Sequence, residues 1–160
     1  MRVGQGFDAH RLEAGRRLML GGVEVPSERG LAGHSDGDVL LHALADALLG
    51  ALGEGDLGRH FPSSDAGLAG ADSGGLLAEV VEKVHAAGLR VGNADATVIA
   101  EAPRLAPFQA QMRKRCAELL RASEAAVNIK VTSTDGLGAI GRGEGIAAQA
   151  VVLLVGGEDR

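Results

Sequence analysis

The sequence predicts an α+β fold: a mixed β-sheet with three helices packed on one face, as one domain over residues 1–160. Three observations carry this. Apolar residues recur at helical spacing in three stretches, about 38–52, 73–87 and 103–121. Runs at 2–10, 91–101, 127–132 and 146–155 have the alternation or apolar density of strands. The resulting order (β, hairpin, α, α, β, α, β, β) gives a sheet with helices on one side and leaves the other side for a partner subunit to cover. A chain of 160 residues with 46 % hydrophobic and 23 % charged residues can bury such a core without staples.

Taken in order, Arg2–His10 reads as a strand, and Leu18–Val25 as a short hairpin turning on Gly21-Gly22. Ser35-Asp36 is the expected cap of a first helix from about Asp38 to Leu52, apolar on most sides and therefore deeply buried or an oligomer contact. Residues 53–72 carry five glycines and Pro62, and read as a functional loop of about twenty residues. Asp72-Ser73 caps the second helix, which Gly88 stops. Pro103–Arg121 forms the third, with the stripe Leu105, Phe108, Met112, Cys116, Leu119. Val127–Thr132 alternates cleanly, whereas Ile146–Val155 is continuously apolar, as in a central strand buried on both faces.

Composition excludes several classes. One cysteine allows no intramolecular disulfide and no CxxC-type zinc site. No apolar run reaches membrane-spanning length and the N-terminus lacks a signal core, so a cytosolic location is expected. A net charge of −5, with three Phe and no Trp or Tyr, argues against nucleic-acid binding.

The residues that can carry chemistry fall into a few groups. Asp8 and His10, two apart in a strand, point the same way and can converge on one metal. His42, inside an apolar helix turn, is either a satisfied core histidine or the third ligand of a centre with a position left open. His34-Ser35-Asp36-Gly37-Asp38 combines helix capping with a possible anion site. Thr132-Ser133-Thr134-Asp135, after a strand, offers hydroxyls to phosphate and a carboxylate to a hard cation. Gly136–Gly141 matches G-x-G-x-x-G, but a strand is expected after it, so it is no dinucleotide fingerprint. His60 reads as surface, His85 as a helix-end partner and Cys116 as inert core.

Together Gly4–His10, His34–His42, Gly70-Ala71-Asp72-Ser73 and Gly141–Gly145 resemble, end to end, the 2-C-methyl-D-erythritol 2,4-cyclodiphosphate synthase family of the non-mevalonate isoprenoid pathway. The resemblance implies conversion of 4-diphosphocytidyl-2-C-methyl-D-erythritol 2-phosphate to the cyclic diphosphate with release of CMP. It implies Zn²⁺ on Asp8, His10 and His42, a second cation, Mg²⁺ or Mn²⁺, near Asp135, and transition-state stabilisation by His34 and Ser133. Asp8, His10, His34, Ser35, Asp56, Gly58, Phe61, Ser63 and Asp65 correspond to positions around the methylerythritol phosphate and diphosphate. Ala100, Pro103, Arg104, Leu105, Ala106 and Thr132 correspond to the cytidine diphosphate pocket, with Ser133, Asp135 and Arg142 also on the substrate.

Homotrimers with sheets facing inward and active sites between subunits are implied as well. Phe7, Arg142 and Glu144 would then surround an axial cavity for an isoprenoid diphosphate. The sequence departs from the family pattern at Asp135 (commonly Glu), Ser133 (Thr), Ser63 (Asp) and Ala139 (Phe). Two other readings of the same residues are a non-catalytic metal-containing trimer that binds nucleotide or isoprenoid, and a metal-dependent phosphohydrolase.

Overall fold

β1 (Arg2–Ala14) opens the chain, four residues longer than expected. Alternation divides it: Gly4 and Gly6 are buried, whereas Val3, Gln5 and Phe7 are exposed. The expected hairpin follows as β2 (Leu18–Leu20) and β3 (Val23–Val25). Gly21 and Gly22 both have positive φ at its turn, 61° and 70°. A three-residue edge strand, β4 (Arg29–Leu31), pairs antiparallel with β1 and is too short for alternation to reveal.

α1 (Val39–Leu52) is buried along almost its whole length, as its composition predicts. Its cap is Asp38, not Ser35-Asp36: Gly37 turns at φ 75°, and the Asp38 carboxylate then accepts the amides of Leu40 and Leu41. The same carboxylate accepts Gly21 N (2.9 Å) and Gly22 N (2.7 Å), tying the hairpin to the helix start. Burial pushes the Asp38 carboxyl up, against these amide donors that pull it down.

The twenty-residue loop holds more order than its glycines predict. Asp56 caps a short helix, α2 (Leu57–His60), and a 3-10 turn spans Ala66–Leu68. α3 (Ser73–Ala86) is capped by Asp72, and Gly88 at φ 70° ends it as expected. β5 (Leu89–Ile99) comes next. The third long helix, α4 (Gln109–Leu119), starts later than expected after a 3-10 turn at Ala106–Phe108, because Pro103 and Pro107 lack the N–H a helix interior needs. β6 (Val127–Thr132), a four-residue helix α5 (Gly138–Gly141) and β7 (Gly145–Gly156) complete the chain. The computed structural model describes residues 1–68 and 70–156, so the last four residues of the expected domain, 157–160, lie outside the described residues.

The five-stranded sheet runs β4-β1-β7-β5-β6, with β5 and β6 parallel and the other pairs antiparallel. It is the expected mixed sheet. α1 lies on β1 and β7, α3 on β5 and α4 on β6, so the three long helices share one face. The expectation that β7 is buried on both faces needs correction. The chain covers one face only; the other exposes Val3 (67 %), Phe7 (56 %) and Val151 (42 %).

Candidate metal centre and flanking pockets

Close approach of α1 to β1 builds the centre. A Cβ on Gly4 would lie 1.8 Å from the Ala47 carbonyl oxygen, and one on Gly6 would lie 2.0 Å from that of Ala43. Two glycines facing the alanine stripe Ala43, Ala47, Ala51 let helix and strand backbones touch. Asp8 and His10 continue the same strand face, and His42 projects from the first turn of α1 onto it. Asp8 Oδ2 lies 2.9 Å from His10 Nε2 and 2.8 Å from His42 Nδ1. One donor atom from each of the three side chains lies within 4.8 Å of the others.

The electrostatics suit a cation. Burial disfavours the Asp8 carboxylate, but hydrogen bonds and charge from His10 and His42 outweigh it and hold the carboxyl well below the usual range. The hydrogen bond to Asp8 raises the His10 imidazole against the opposing effect of burial. One carboxylate and two imidazoles converging by single atoms is the donor set of a divalent transition-metal centre that keeps a position free.

A cavity of about 210 Å³ opens beside this cluster, lined by His10, His34, Ser35, His42, Leu57, Phe61, Ser63 and Leu76. Arg16 holds the loop carrying His34 by donating to the carbonyls of Gly33 and Ser35. His34 Nε2 reaches the Asp65 carbonyl at 3.1 Å, linking that loop to the segment after α2. Asp56 and Gly58 stand at the start of α2, where Asp56 Oδ1 accepts Arg59 N at 2.9 Å. Asp65 Oδ1 accepts Gly67 N and faces solvent.

A second cavity of about 290 Å³ lies where β5 and β6 end, lined by Ala100, Glu101, Pro103, Arg104, Leu105, Ala106, Val131 and Thr132. It gathers all six residues that the family resemblance implies for a nucleotide pocket and adds Glu101 and Val131. Ser133 and Asp135 follow on the exposed loop, where Asp135 has φ 55° and its amide donates to Ser133 Oγ at 3.2 Å.

The two cavities share one end of the sheet but not one edge. Ala9 pairs with Ala147, Ala147 with Ile99, and Ile99 with Thr132. Three strand spacings, about 14 Å, therefore separate the Asp8-His10 strand from Thr132 within one chain. Ser133 and Asp135 are thus not brought to the Asp8-His10-His42 cluster. Phe7 is exposed on the open sheet face, opposite Gln149 on β7. Arg142 donates to Glu144 at 2.6 Å just before β7 begins.

Four residues had no role of their own at the metal centre in the sequence reading. Ser73, only 1 % exposed, sits against His42 Nε2 at 2.9 Å, and Asp36 accepts the Ser73 hydroxyl. Asp46, one turn beyond His42, accepts Leu57 N at 2.6 Å and so fixes the start of α2; burial pushes its carboxyl up. Arg16 is the fourth. For Asp46 the available signal was its i,i+4 spacing from His42, whereas Asp36 and Ser73 lay within the motifs His34–His42 and Gly70-Ala71-Asp72-Ser73. His60, expected at the surface, is half-buried with Nε2 3.0 Å from the Glu54 carbonyl, because α2 folds it back.

Comparison with known proteins gives a consistent result. The YgbB family model matches residues 1–155. The chain is 59 % identical over 155 residues to the 2-C-methyl-D-erythritol 2,4-cyclodiphosphate synthase of Halalkalibacterium halodurans, covering 97 % of this chain and 99 % of that one. It is 58 % identical to the enzyme of that name from Geobacillus kaustophilus, over 96 % and 97 % of the two chains.

Among solved structures, a 2C-methyl-D-erythritol-2,4-cyclodiphosphate synthase in a CDP-bound form superposes with a TM-score of 0.88 at 37 % identity, covering 96 % of this chain and 100 % of that one. The bifunctional IspDF of Campylobacter jejuni superposes at 0.92 with 42 % identity, over 96 % of this chain and 42 % of that longer one. With matching sequence over nearly its full length and matching backbone, the chain belongs to the YgbB family.

Proposed function

We infer that this chain is a 2-C-methyl-D-erythritol 2,4-cyclodiphosphate synthase, a phosphorus–oxygen lyase of isoprenoid precursor biosynthesis. The substrate would be 4-diphosphocytidyl-2-C-methyl-D-erythritol 2-phosphate. An oxygen of its 2-phosphate bonds to the β-phosphorus, the bond from that phosphorus to the α–β bridging oxygen breaks, and CMP leaves with the electron pair. The convergence of Asp8 Oδ2, His10 Nε2 and His42 Nδ1 carries this reading.

These three residues would hold a divalent transition metal such as Zn²⁺, which when bound supplies Lewis-acid polarisation of a phosphoryl oxygen. The rest is positioning and charge stabilisation by the protein. His34 and Ser133 act on the charge that develops on the diphosphate, and Asp135 helps to hold a second cation, Mg²⁺ or Mn²⁺. Ser35, Asp56, Gly58, Phe61, Ser63 and Asp65 hold the methylerythritol phosphate. Ala100, Pro103, Arg104, Leu105, Ala106 and Thr132 take the cytidine, a reading supported by the cavity they share and by the CDP-bound form of a relative.

The roughly 14 Å between strands β1 and β6 argues that one chain does not close a complete site. A homotrimer, in which the second cavity of one copy meets the metal centre of the next, resolves this and covers Val3, Phe7 and Val151. Residues 1–160 work as one such domain in the cytoplasm; no helix among the described residues is long and apolar enough to cross a membrane. Phe7, Arg142 and Glu144 would surround the axial cavity for an isoprenoid diphosphate.

Phosphorus NMR of the cytidylylated substrate incubated with protein, Zn²⁺ and Mg²⁺ tests the assignment. A cyclic diphosphate plus CMP is expected. Free inorganic phosphate would indicate a phosphohydrolase, and unchanged substrate a non-catalytic binding trimer.

A further inference from the structure

The imidazole of His42 has two nitrogens with different partners. Nδ1 faces Asp8, on the side of the metal centre; Nε2 points away from it, into the junction between the His34–Asp38 loop and the start of α3. There it lies 2.9 Å from Ser73 Oγ and 3.1 Å from Ser35 Oγ. The two hydroxyls are not equivalent. Ser73 Oγ donates its proton to Asp36 Oδ1, so its lone pairs are left for the imidazole. Asp36 is fixed in turn: its carboxylate accepts the amides of Ser73 (3.2 Å) and Asp38 (3.1 Å). Ser35 Oγ already accepts Gly37 N, belongs to a residue lining the cavity, and has no carboxylate behind it among the described residues.

We propose that Ser73 and Asp36 are positioning residues for the metal centre. Together they form a relay, His42 Nε2–H to Ser73 Oγ–H to the Asp36 carboxylate, which keeps the proton on Nε2. Nδ1, which donates to Asp8 while no cation is bound, can then give up that proton and turn its lone pair to the metal. Partners of this kind fix the tautomer and ring orientation of a ligating histidine and raise its basicity. The relay also gives Asp36 and Ser73 a role that helix capping does not: Asp38 and Asp72 supply the caps. The inference rests on the metal-centre reading above.

The test measures Zn²⁺ affinity by competition with a chromophoric chelator, together with the visible absorption of the Co²⁺-substituted protein. Both are recorded for the wild type, Ser73→Ala, Ser73→Thr and Asp36→Asn. Ser73→Ala is expected to weaken Zn²⁺ binding by roughly 10- to 100-fold and to alter the Co²⁺ bands. Ser73→Thr restores both towards wild type, and Asp36→Asn shifts both in the direction of Ser73→Ala. A purely structural role would lower the unfolding midpoint and leave the Co²⁺ spectrum unchanged. Should Ser73→Ala fail to fold, Asp36→Asn is judged by the same two readouts. Wild-type affinity and spectrum in Ser73→Ala, or equal losses in Ser73→Ala and Ser73→Thr, overturn the relay. A wild-type protein that takes up no metal overturns the centre itself.

Discussion

His42 Nδ1 and Asp8 Oδ2, thirty-four residues apart in sequence, lie 2.8 Å from each other across the contact between α1 and β1. Their proximity is a consequence of backbone approach: Gly4 and Gly6 remove the side chains that would hold the helix off the strand. His42→Ala is therefore expected to abolish both Zn²⁺ uptake and CMP release while leaving the far-ultraviolet circular dichroism native. Metal analysis of the purified variant checks this directly; full metal content would contradict the ligand assignment.

Gly6→Ala tests the approach itself. A Cβ 2.0 Å from a helix carbonyl cannot be absorbed by a rotamer change, so the helix must move. The expected cost is about 3 kcal/mol in urea denaturation, with Zn²⁺ affinity falling because His42 moves with α1. Ala at Gly53, where nothing crowds the position but φ is +78°, should cost only about 1 kcal/mol and spare the metal.

The charge pattern around Asp8 gives the metal-free protein a pH dependence of known sign. His10 is raised by its hydrogen bond to Asp8, so its contribution is fully present below its ordinary value near 6.5 and is lost as pH rises through the higher folded value. Asp8 is held low, so its contribution is present above about 3.9 and is lost as pH falls through the folded value. Urea midpoints of the metal-free protein should accordingly fall off on both sides. His10→Gln should remove the alkaline slope; an unchanged slope would assign it to another group.

Cys116 is buried beside Gly21, and burial pushes its thiol up. In native protein it should resist a thiol-specific chromogenic reagent and react fully once the chain is unfolded. Stoichiometric reaction under native conditions would place it outside the core.

Much of this was readable from the residues. Helical periodicity located α1, α3 and α4, alternation located β6, and the spacing of Asp8 and His10 put both on one strand face. Three-residue β4 carries too few positions for a period, and α2 rests on tertiary help from Asp46, which no local pattern in a glycine-rich segment announces. No local pattern explains Gly4 and Gly6; their meaning lies in a helix more than thirty residues away. Ser35-Asp36 looked like a cap because Ser and Asp are cap residues, and only the turn at Gly37 moves that role to Asp38.

Subunit association has its own test. Val151 lies in the middle of the exposed sheet face, opposite Gln5 on β1 and Asp95 on β5. Val151→Asp is expected to break the proposed trimer into sedimenting monomers and to abolish turnover. A wild-type protein that sediments as a monomer with full activity would contradict the shared-site arrangement.

The most direct test of the whole account is a crystal grown with Zn²⁺ and measured at the zinc absorption edge. One anomalous peak is expected about 2.0–2.2 Å from Asp8 Oδ2, His10 Nε2 and His42 Nδ1 together. No peak at full zinc loading, or a peak held by other side chains while these three point apart, would contradict it.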